Sequence, residues 1–523
     1  MTIGDKLAEQ AQVRPHTPAL IDDIAQCTLT FSQLDDEVAR SAAWWRRQGL
    51  QRGQAVLVFV PMSADLYVAL LAIFRLGAVA LFLDPSAGCE HLERCCSRWK
   101  PDALFAIPKA HLLRLTSRAL RSIPLKVTTR GWIPGARRWL AHGDGERHPT
   151  NDAQPDDAAL VTFTSGSTGV PKAAVRTQDF LLAQYKVLAP SIELESGDVD
   201  LATLPVFPLA NLAAGVTTVI PDVDLKRPGA VDAGRIWSQI ERHQVNRIAA
   251  SPAFFERLIA HASGARTLPT LRKLHTGGAP VFPRLLQALQ TLAPRAKIVA
   301  MYGSTEAEPI AHIAADELTD DDLRAMRSGQ GLLAGTVVSG LRLRIVRDRW
   351  GEPLGSMSAA AFESERLAPG EVGEIVVTGD HVLKQYLGGI GEEETKFRVD
   401  GEIWHRTGDA GMFDDRGRLW LAGRCAARID DERGRLYPFG VECVAMTFPA
   451  VKRAAFTVMD ARRVLVIEAG ASARLRSEIE TATKWAQVDE VCFIHAMPVD
   501  KRHNAKIDYP AMKAHLRRKK HLA

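Results

Sequence analysis

The segment Thr164-Ser-Gly-Ser-Thr-Gly-Val-Pro-Lys172 directly follows Ala159-Leu-Val-Thr-Phe-Thr164, a short apolar run that predicts a buried strand. Its two glycines permit backbone conformations that other residues resist, so the chain can approach a ligand closely. Hydroxyl groups, backbone amides and the lysine are suitable donors for phosphate oxygens. The segment therefore predicts a phosphate-binding loop, whose candidate residues are Thr164, Ser165, Gly166, Ser167, Thr168, Gly169 and Lys172.

The spacing of this loop differs from the two common nucleotide-binding patterns, G-x-x-x-x-G-K-[ST] and G-x-G-x-x-G. A flexible Ser/Gly surface loop is the alternative interpretation. The preceding strand and the terminal Pro171-Lys172 pair favour the phosphate loop.

Strand and helix patterns alternate around the loop. Ala55-Val-Leu-Val-Phe-Val60 predicts a strand, residues 64–76 a helix and residues 78–83 a second strand, an order that implies parallel pairing. Residues beyond Arg424 carry their own short strands and helices. We therefore predict an α/β fold, with a large N-terminal domain of mixed and parallel sheets flanked by helices (residues 1–422) and a small α+β C-terminal domain (residues 423–523).

Tyr302-Gly-Ser-Thr-Glu306 is the strongest of the motifs that follow. The tyrosine offers an aromatic face for a base, and Thr305 can donate to a phosphate. Glu306 is a hard oxygen ligand of the kind that Mg²⁺ takes together with phosphates. A surface carboxylate is the alternative interpretation of Glu306.

Four weaker motifs accompany it, namely Gly277-Gly-Ala-Pro280, Trp404-His-Arg-Thr-Gly-Asp409, Gly423-Arg424 and Val499-Asp-Lys-Arg-His-Asn-Ala-Lys-Ile507. Each motif on its own has an ordinary structural interpretation. Residues 277–280 would then be a plain turn, and Asp409, which follows a glycine, would be a turn residue. Likewise, Arg424 would form an ion pair on the surface, and Lys506 would be a solvated lysine.

Together and in this order, the motifs resemble those of the adenylate-forming superfamily, which includes acyl-CoA synthetases, nonribosomal adenylation domains and luciferases. The resemblance implies that ATP and a carboxylic acid react with the help of Mg²⁺, forming an acyl-adenylate and releasing pyrophosphate. It also implies that the residues 277–280 pack against adenine, that Asp409 binds the ribose hydroxyls, and that Lys506 neutralises charge on the α-phosphate. The implied nucleotide-binding residues beyond the loop are Gly277, Gly278, Ala279, Pro280, Tyr302, Gly303, Ser304, Asp409 and Arg424, the implied catalytic residues are Lys506, Glu306, Thr305 and Arg424, and the implied metal-binding residues are Glu306 and Thr168.

The chain departs from the usual pattern of acyl-CoA ligases at Ala426 and at Arg502-His-Asn-Ala-Lys506. These positions, Leu436-Tyr-Pro438 followed by Glu442, and residues 200–228 are similar to the β-lactone synthetases of bacterial long-chain olefin biosynthesis. That similarity implies a 2-alkyl-3-hydroxy acid substrate whose own hydroxyl expels AMP in an intramolecular second step. His503 is a candidate base for that hydroxyl, and a surface histidine is the alternative.

Two other functions remain open. A ligase that transfers a fatty or aryl acyl group to CoA or to a carrier protein would require a thiol acceptor. A non-catalytic nucleotide-binding accessory protein would not need Lys172, Glu306, Asp409 and Lys506 together. The candidate acyl pocket consists of Phe207, Leu209, Ala210 and Asn211.

Composition is that of an ordinary globular protein, with 46% hydrophobic residues, 24% charged residues and a net charge of +5. The seven cysteines form no C-x-x-C pair, which indicates a reduced cytoplasmic protein. Arg75 and Gly77 interrupt the most apolar stretch, Leu66 to Leu83, so we expect a buried helix and strand and no transmembrane segment. The expected partners are the small carboxylic acid and other enzymes of a multienzyme pathway, not nucleic acid, and the basic tail at residues 515–520 is expected to be solvated.

Overall fold

The computed structural model describes residues 1–84, 87–140, 146–148, 151–165, 171–262, 266–499 and 507–520, with the backbone alone at residues 164, 165, 519 and 520. The chain forms two compact units. Unit 1 contains Met1–Asp222, His243–Val245 and Asp380–Glu393, and unit 2 contains Val223–Arg242, Asn246–Gly379 and Glu394–Ala523. This division into two units does not test the predicted domain boundary at residue 422, which stays a prediction.

Unit 1 contains a seven-stranded sheet and a second group of four paired strands. Its elements are α1 (Ile3–Val13), β1 (Pro18–Asp22), β2 (Cys27–Thr30), α2 (Phe31–Arg47), β3 (Ala55–Phe59), α3 (Ala64–Arg75), β4 (Val79–Phe82), α4 (Cys89–Arg98), β5 (Ala103–Ala106), α5 (Arg118–Ser122), β6 (Leu125–Thr128), β7 (Arg137–Arg138), β8 (Ala158–Ser165), β9 (Pro171–Thr177), α6 (Gln178–Ser191), β10 (Val199–Ala202), α7 (Phe207–Ala214) and β11 (Thr217–Ile220). The seven-stranded sheet has the order β7-β6-β5-β3-β4-β8-β9, and only the β8–β9 pair is antiparallel. In the second group, β10, β11 and β1 are parallel and β2 is antiparallel to β1.

The predicted strand–helix–strand unit is confirmed in β3, α3 and β4. All five residues of β3 are buried, as are ten of the twelve residues of α3, which explains why neither element shows a polar face in the sequence. The helix α2 begins after Thr30, whose hydroxyl accepts from the Gln33 N–H while the Gln33 side chain accepts from the Thr30 N–H. This capping box satisfies two N–H groups that the first helical turn leaves without intrahelical partners.

Unit 2 is built on a long mixed sheet with two smaller sheets. Its elements are α8 (Ala233–Arg242), β12 (Arg247–Ala250), α9 (Pro252–Ala262), β13 (Lys273–Gly277), α10 (Pro283–Leu292), β14 (Lys297–Ser304), β15 (Ala307–Ala314), α11 (Asp320–Arg327), β16 (Leu332–Val337), β17 (Leu341–Val346), α12 (Ala359–Ser364), β18 (Gly373–Gly379), α13 (Glu392–Thr395, which begins in unit 1), β19 (Lys396–Val399), β20 (Glu402–Phe413), β21 (Leu419–Arg424), β22 (Ile429–Asp431), β23 (Gly434–Leu436), α14 (Pro438–Met446), β24 (Arg453–Met459), β25 (Arg462–Glu468), α15 (Ala473–Ala482), β26 (Glu490–Ile494) and α16 (Tyr509–Lys520). The long sheet has the order β17-β18-β20-β21-β16-β15-β14-β13-β12, with β19 also paired to β20. Hairpin β22–β23 and the three-stranded sheet β24-β25-β26 are separate.

The parallel strands β12, β13 and β14 end at one edge of the long sheet. Ligands of α/β proteins bind at the carboxyl ends of such strands. The predicted motifs at residues 277–280 and 302–306 both lie at this edge. The α/β fold class with mixed and parallel sheets is confirmed.

No helix in the described residues is both long enough and apolar enough to cross a membrane. The apolar stretch Leu66–Leu83 is divided between α3 and β4, as predicted.

Candidate functional site

A cavity of about 300 Å³ lies at the carboxyl ends of β13 and β14 in unit 2. Many of the residues that the sequence motifs single out line it. They are Gly278, Ala279, Pro280, Tyr302, Gly303, Asp409 and Arg424.

Asp409 stands at the centre of the polar contacts in this cavity. Its Oδ2 accepts a hydrogen bond of 2.8 Å from the Tyr302 hydroxyl, and its Oδ1 lies 3.1 Å from Nε of Arg424. The pairing of β20 with β21 sets Asp409 directly opposite Arg424, so the ion pair follows from strand register. Thr407 Oγ1 accepts from the Asp409 N–H at 3.1 Å and donates to the Ile375 carbonyl at 2.9 Å, which holds the backbone.

The protonation of this cluster is settled by its surroundings. Burial and the neighbouring Asp409 carboxylate raise the pKa of Tyr302 well above its ordinary value, so the phenol stays protonated and donates. The same carboxylate raises the pKa of Arg424. An ionised carboxylate has about four acceptor positions, and the two contacts use one on each oxygen. Each Asp409 oxygen can therefore accept one further hydrogen bond.

Two glycines allow close packing next to residues that line the cavity. A Cβ at Gly277, the last residue of β13, would lie 2.7 Å from the Met301 carbonyl oxygen on β14. A Cβ at Gly408 would lie 2.9 Å from the Trp350 ring, and Gly408 has a φ of +71°. A larger residue at either position would displace a strand or an aromatic ring, so these glycines serve close packing directly beneath the site.

Thr305 and Glu306 form the two-residue connection between β14 and β15, since Ser304 pairs directly with Ala307. Thr305 is exposed and Glu306 is partly exposed. Within the described residues there is no group of three or more His, Cys, Asp or Glu side chains that could hold a metal ion. A single carboxylate ligand is sufficient for Mg²⁺, which keeps several waters and takes phosphate oxygens as its other ligands.

Glu442 lines the same cavity and was singled out in the sequence only through the resemblance. It lies on α14, where one Oε1 accepts from the Phe456 N–H at 2.9 Å and from the Tyr509 hydroxyl at 2.5 Å. Burial raises the pKa of Glu442 to about 7, and burial together with Glu442 raises the pKa of Tyr509. A lone charged residue inside the apolar run Val441–Met446 is the sequence signal for this buried carboxyl.

In unit 1, the predicted phosphate loop is framed by the hairpin strands β8 and β9. Thr164 and Ser165 belong to the end of β8, and Lys172 is the second residue of β9, paired with Thr164. Lys172 is buried, and its Nζ lies 6.0 Å from the centroid of the Tyr386 ring. A Cβ at Gly391 would lie 2.3 Å from Cε of Lys172, so a larger residue there would require the lysine side chain to move.

Several predicted residues fall outside the described part of the chain. They are Gly166, Ser167, Thr168, Gly169, His503 and Lys506. Their roles remain predictions.

The four predicted pocket residues Phe207, Leu209, Ala210 and Asn211 are all buried in α7. Asn211 is held by hydrogen bonds from its Nδ2 to Asp200 Oδ2 at 2.7 Å and to Thr218 Oγ1 at 3.3 Å. The Asn211 amide group thus ties α7 to the strands β10 and β11. A role of the four residues in binding an acyl chain stays a prediction.

Comparison with known proteins identifies the family. Residues 7–387 match the family model described as AMP-binding enzyme. The olefin β-lactone synthetase of Stenotrophomonas maltophilia is 34% identical over 92% of this chain and 90% of its own length, and that of Xanthomonas campestris is 33% identical over 92% and 89%. An anthranilate CoA ligase solved in complex with anthranoyl-AMP is 17% identical and superposes with a TM-score of 0.79, covering 99% of this chain and 97% of its own chain, which shows a shared fold.

The family match covers more than half of the chain, and it agrees with the fold and with the order of the motifs. ATP use and a carboxylic acid substrate follow from membership. The chain belongs to the AMP-binding, adenylate-forming family and is an AMP-forming ligase that adenylates a carboxylic acid.

Proposed function

We propose that the acid is a 2-alkyl-3-hydroxy fatty acid, and that the enzyme closes its acyl-adenylate to a β-lactone with release of AMP. The observation that supports this most directly is the similarity to two olefin β-lactone synthetases at 34% and 33% identity over 92% of the chain. The departures from the acyl-CoA ligase pattern at Ala426 and residues 502–506 agree with it.

The nucleotide is held in this proposal by Asp409, Tyr302 and Arg424. The remaining acceptor position on each Asp409 oxygen receives one ribose hydroxyl, and Tyr302 and Arg424 keep the carboxylate in place. The backbone of residues 278–280, which lines the same cavity, packs against the adenine. Thr164 to Gly169 and Lys172 bind the phosphates.

In the first step, a carboxylate oxygen of the fatty acid attacks the α-phosphorus of ATP and pyrophosphate leaves. We propose that Lys506 neutralises the charge that develops on the α-phosphate, with Thr305 as a hydrogen-bond donor. Glu306, with Thr168, would hold a Mg²⁺ ion, which neutralises charge on the phosphates when it is bound.

In the second step, the 3-hydroxyl oxygen of the same molecule attacks the acyl carbon, the bond from that carbon to the AMP oxygen breaks, and AMP leaves. The hydroxyl proton passes to a base, for which His503 is the candidate. Because nucleophile and acyl carbon belong to one molecule, orientation replaces a second substrate. We also propose that residues 423–523 form a separate small domain that carries Lys506.

The experiment is product analysis by mass spectrometry after incubation with Mg²⁺, ATP and a long-chain 2-alkyl-3-hydroxy acid, with and without CoA. We expect a β-lactone, or the alkene that it yields on loss of CO₂, in equal amount in both incubations. A CoA ester that forms only when CoA is present would refute lactone closure and leave the adenylation chemistry standing.

The assignment of Lys506 has its own test in the exchange of labelled pyrophosphate into ATP. Lys506→Ala should lower this rate by about 10²–10³-fold, the usual effect of losing one group that stabilises a transition-state charge. Lys513→Ala, a lysine change on α16 in the same part of the chain, is the matched control and should leave the rate unchanged. Equal rates in the two variants would show that another group supplies the charge.

A further inference from the structure

A segment of unit 1 combines unbalanced positive charge with exposed apolar side chains. Residues 103–140 contain no Asp or Glu, although the whole chain has 61 acidic against 66 basic residues. The basic residues of the segment are Lys109, Arg114, Arg118, Arg121, Lys126, Arg130, Arg137 and Arg138. These eight cations exceed the net charge of +5 of the entire protein.

The described residues contain no ion pair between a carboxylate and any of these eight cations. Elsewhere in unit 1, arginines pair with acids, as Arg52 does with Asp157 at 2.7 Å. Among the described residues, none of the eight cations forms such an ion pair, and Arg114 and Arg121 instead donate to backbone carbonyls. The nearby Glu93, on α4, accepts from the Ser117 hydroxyl and from the Ala119 N–H at the start of α5, and these bonds together with the charge of Arg121 lower the pKa of Glu93.

Large apolar side chains are exposed in the same segment. Trp132 is 83% exposed, Leu115 is 74% exposed and Leu112 is 62% exposed, and Leu140 is also exposed. Scattered single apolar residues are normal on a protein surface, but several close together mark an interaction site.

The fold gathers these residues at one end of the seven-stranded sheet. β7 is the edge strand there, and β6 is its neighbour. Arg114 Nη1 donates to the Pro134 carbonyl at 3.1 Å, which joins the helical turn of Leu112 and Leu115 to the loop that carries Trp132. Arg121 Nη1 donates to the Leu115 carbonyl at 2.8 Å, which joins α5 to the same turn.

We propose that this end of unit 1, residues 108–140, docks on the surface of an anionic lipid bilayer. Tryptophan and leucine side chains enter the boundary between headgroups and acyl chains, while lysine and arginine groups face the lipid phosphates. Each cation near an anionic membrane contributes about 1 kcal/mol, so several of the exposed ones suffice for reversible binding without a membrane-spanning helix. No residue of this surface lines the nucleotide cavity, and the proposal does not depend on the proposed function.

The test is co-sedimentation of the full-length protein with vesicles of phosphatidylcholine alone or of phosphatidylcholine mixed with phosphatidylglycerol. We expect binding to the mixed vesicles only, and a loss of binding as salt is raised. Replacing two exposed arginines, Arg118→Gln with Arg130→Gln, should weaken binding about thirty-fold, from the contribution of two cations. The charge-matched control is Arg47→Gln with Arg257→Gln, two exposed arginines outside the segment, and it should bind like the wild type.

The apolar contribution is tested with Trp132→Ala, against Ile24→Ala, an apolar side chain outside the segment that is 63% exposed. Only the former should weaken binding to the mixed vesicles. No binding to the mixed vesicles, equal binding to neutral vesicles, or equal loss in both arginine variants would overturn the proposal. Binding to single-stranded RNA or to an acidic protein in place of vesicles would also overturn it.

Discussion

Glu442→Gln should remove a pH dependence of stability that the buried carboxyl creates. Burial raises the pKa of Glu442 from 4.5 to about 7, so the folded protein binds a proton there that the unfolded chain has already lost. Below pH 4.5 both states are protonated, and as the pH rises towards 7 the folded state loses stability, because the charge must be accommodated in a buried site. The difference between the pKa of Glu442 in the folded protein and in the unfolded chain corresponds to about 3 kcal/mol of unfolding free energy, at about 1.4 kcal/mol per pKa unit.

The glutamine preserves the contacts of the carboxyl. Its amide oxygen can accept from the Phe456 N–H and the Tyr509 hydroxyl, as Oε1 of Glu442 does. We therefore expect the variant to melt on the order of 5 °C higher than the wild type at about pH 8, and this difference to shrink to roughly a quarter at about pH 5. Differential scanning fluorimetry across this pH range measures the difference in melting temperature between the variant and the wild type. All other groups titrate alike in the two proteins, so their effects cancel in this difference.

Glu468→Gln provides a control of opposite sign in the same part of unit 2. Burial alone would raise the pKa of Glu468, but the Met497 N–H, Lys452 and Arg453 outweigh it and lower that pKa. This variant should melt below the wild type by the same amount at about pH 5 and about pH 8, since the Glu468 charge is present throughout. A constant melting difference between wild type and Glu442→Gln across the range would refute the assignment of a titrating carboxyl at position 442.

Gly277→Ala should cost about 1–3 kcal/mol of unfolding free energy, because its Cβ would lie 2.7 Å from a carbonyl oxygen of β14, whereas Gly355→Ala, with open space around it, should be neutral in urea unfolding. Glu374→Gln should cost about 3–5 kcal/mol, since it leaves the fully buried Arg406 without the carboxylate 2.7 Å away, and a loss below 1 kcal/mol would mean that the guanidinium finds another partner. Asp409→Asn should raise the KM for ATP about ten- to a hundred-fold in pyrophosphate exchange, from the loss of a charged hydrogen-bond acceptor, and an unchanged KM would contradict its assignment to the ribose.

Local patterns in the sequence are sufficient to predict much of the fold. The apolar run at residues 55–60 and the helical pattern at residues 64–76 are both local signals, and β3 and α3 form as predicted. Boundaries shift by a residue or two where strands continue into motifs, as at Gly277, which closes β13 and was expected in a turn.

Contacts that depend on strand register are beyond local patterns. Asp409 and Arg424 are both predicted site residues, but their mutual ion pair exists only because β20 and β21 pair with those two positions opposite. The hydrogen bonds that Phe456 and Tyr509 donate to Glu442 likewise require three elements of unit 2, α14, β24 and α16, to pack together. The sequence therefore predicts which residues matter more readily than it predicts what each one touches.

If the proposed roles hold, the hairpin formed by β14 and β15 sets the distance between Tyr302 and Glu306. Tyr302 contacts the ribose-binding carboxylate, and Glu306 lies at the turn that follows. Two residue steps carry the strand about 7 Å from Tyr302 to Ser304. The pairing with β15 shifts register between these two residues, and the pairing of Ser304 with Ala307 then fixes the turn. The backbone of the hairpin, rather than flexible side chains, would then fix the distance between the nucleoside and the metal-bound phosphates. A residue inserted at the turn would therefore displace the metal ion although every ligand residue is still present.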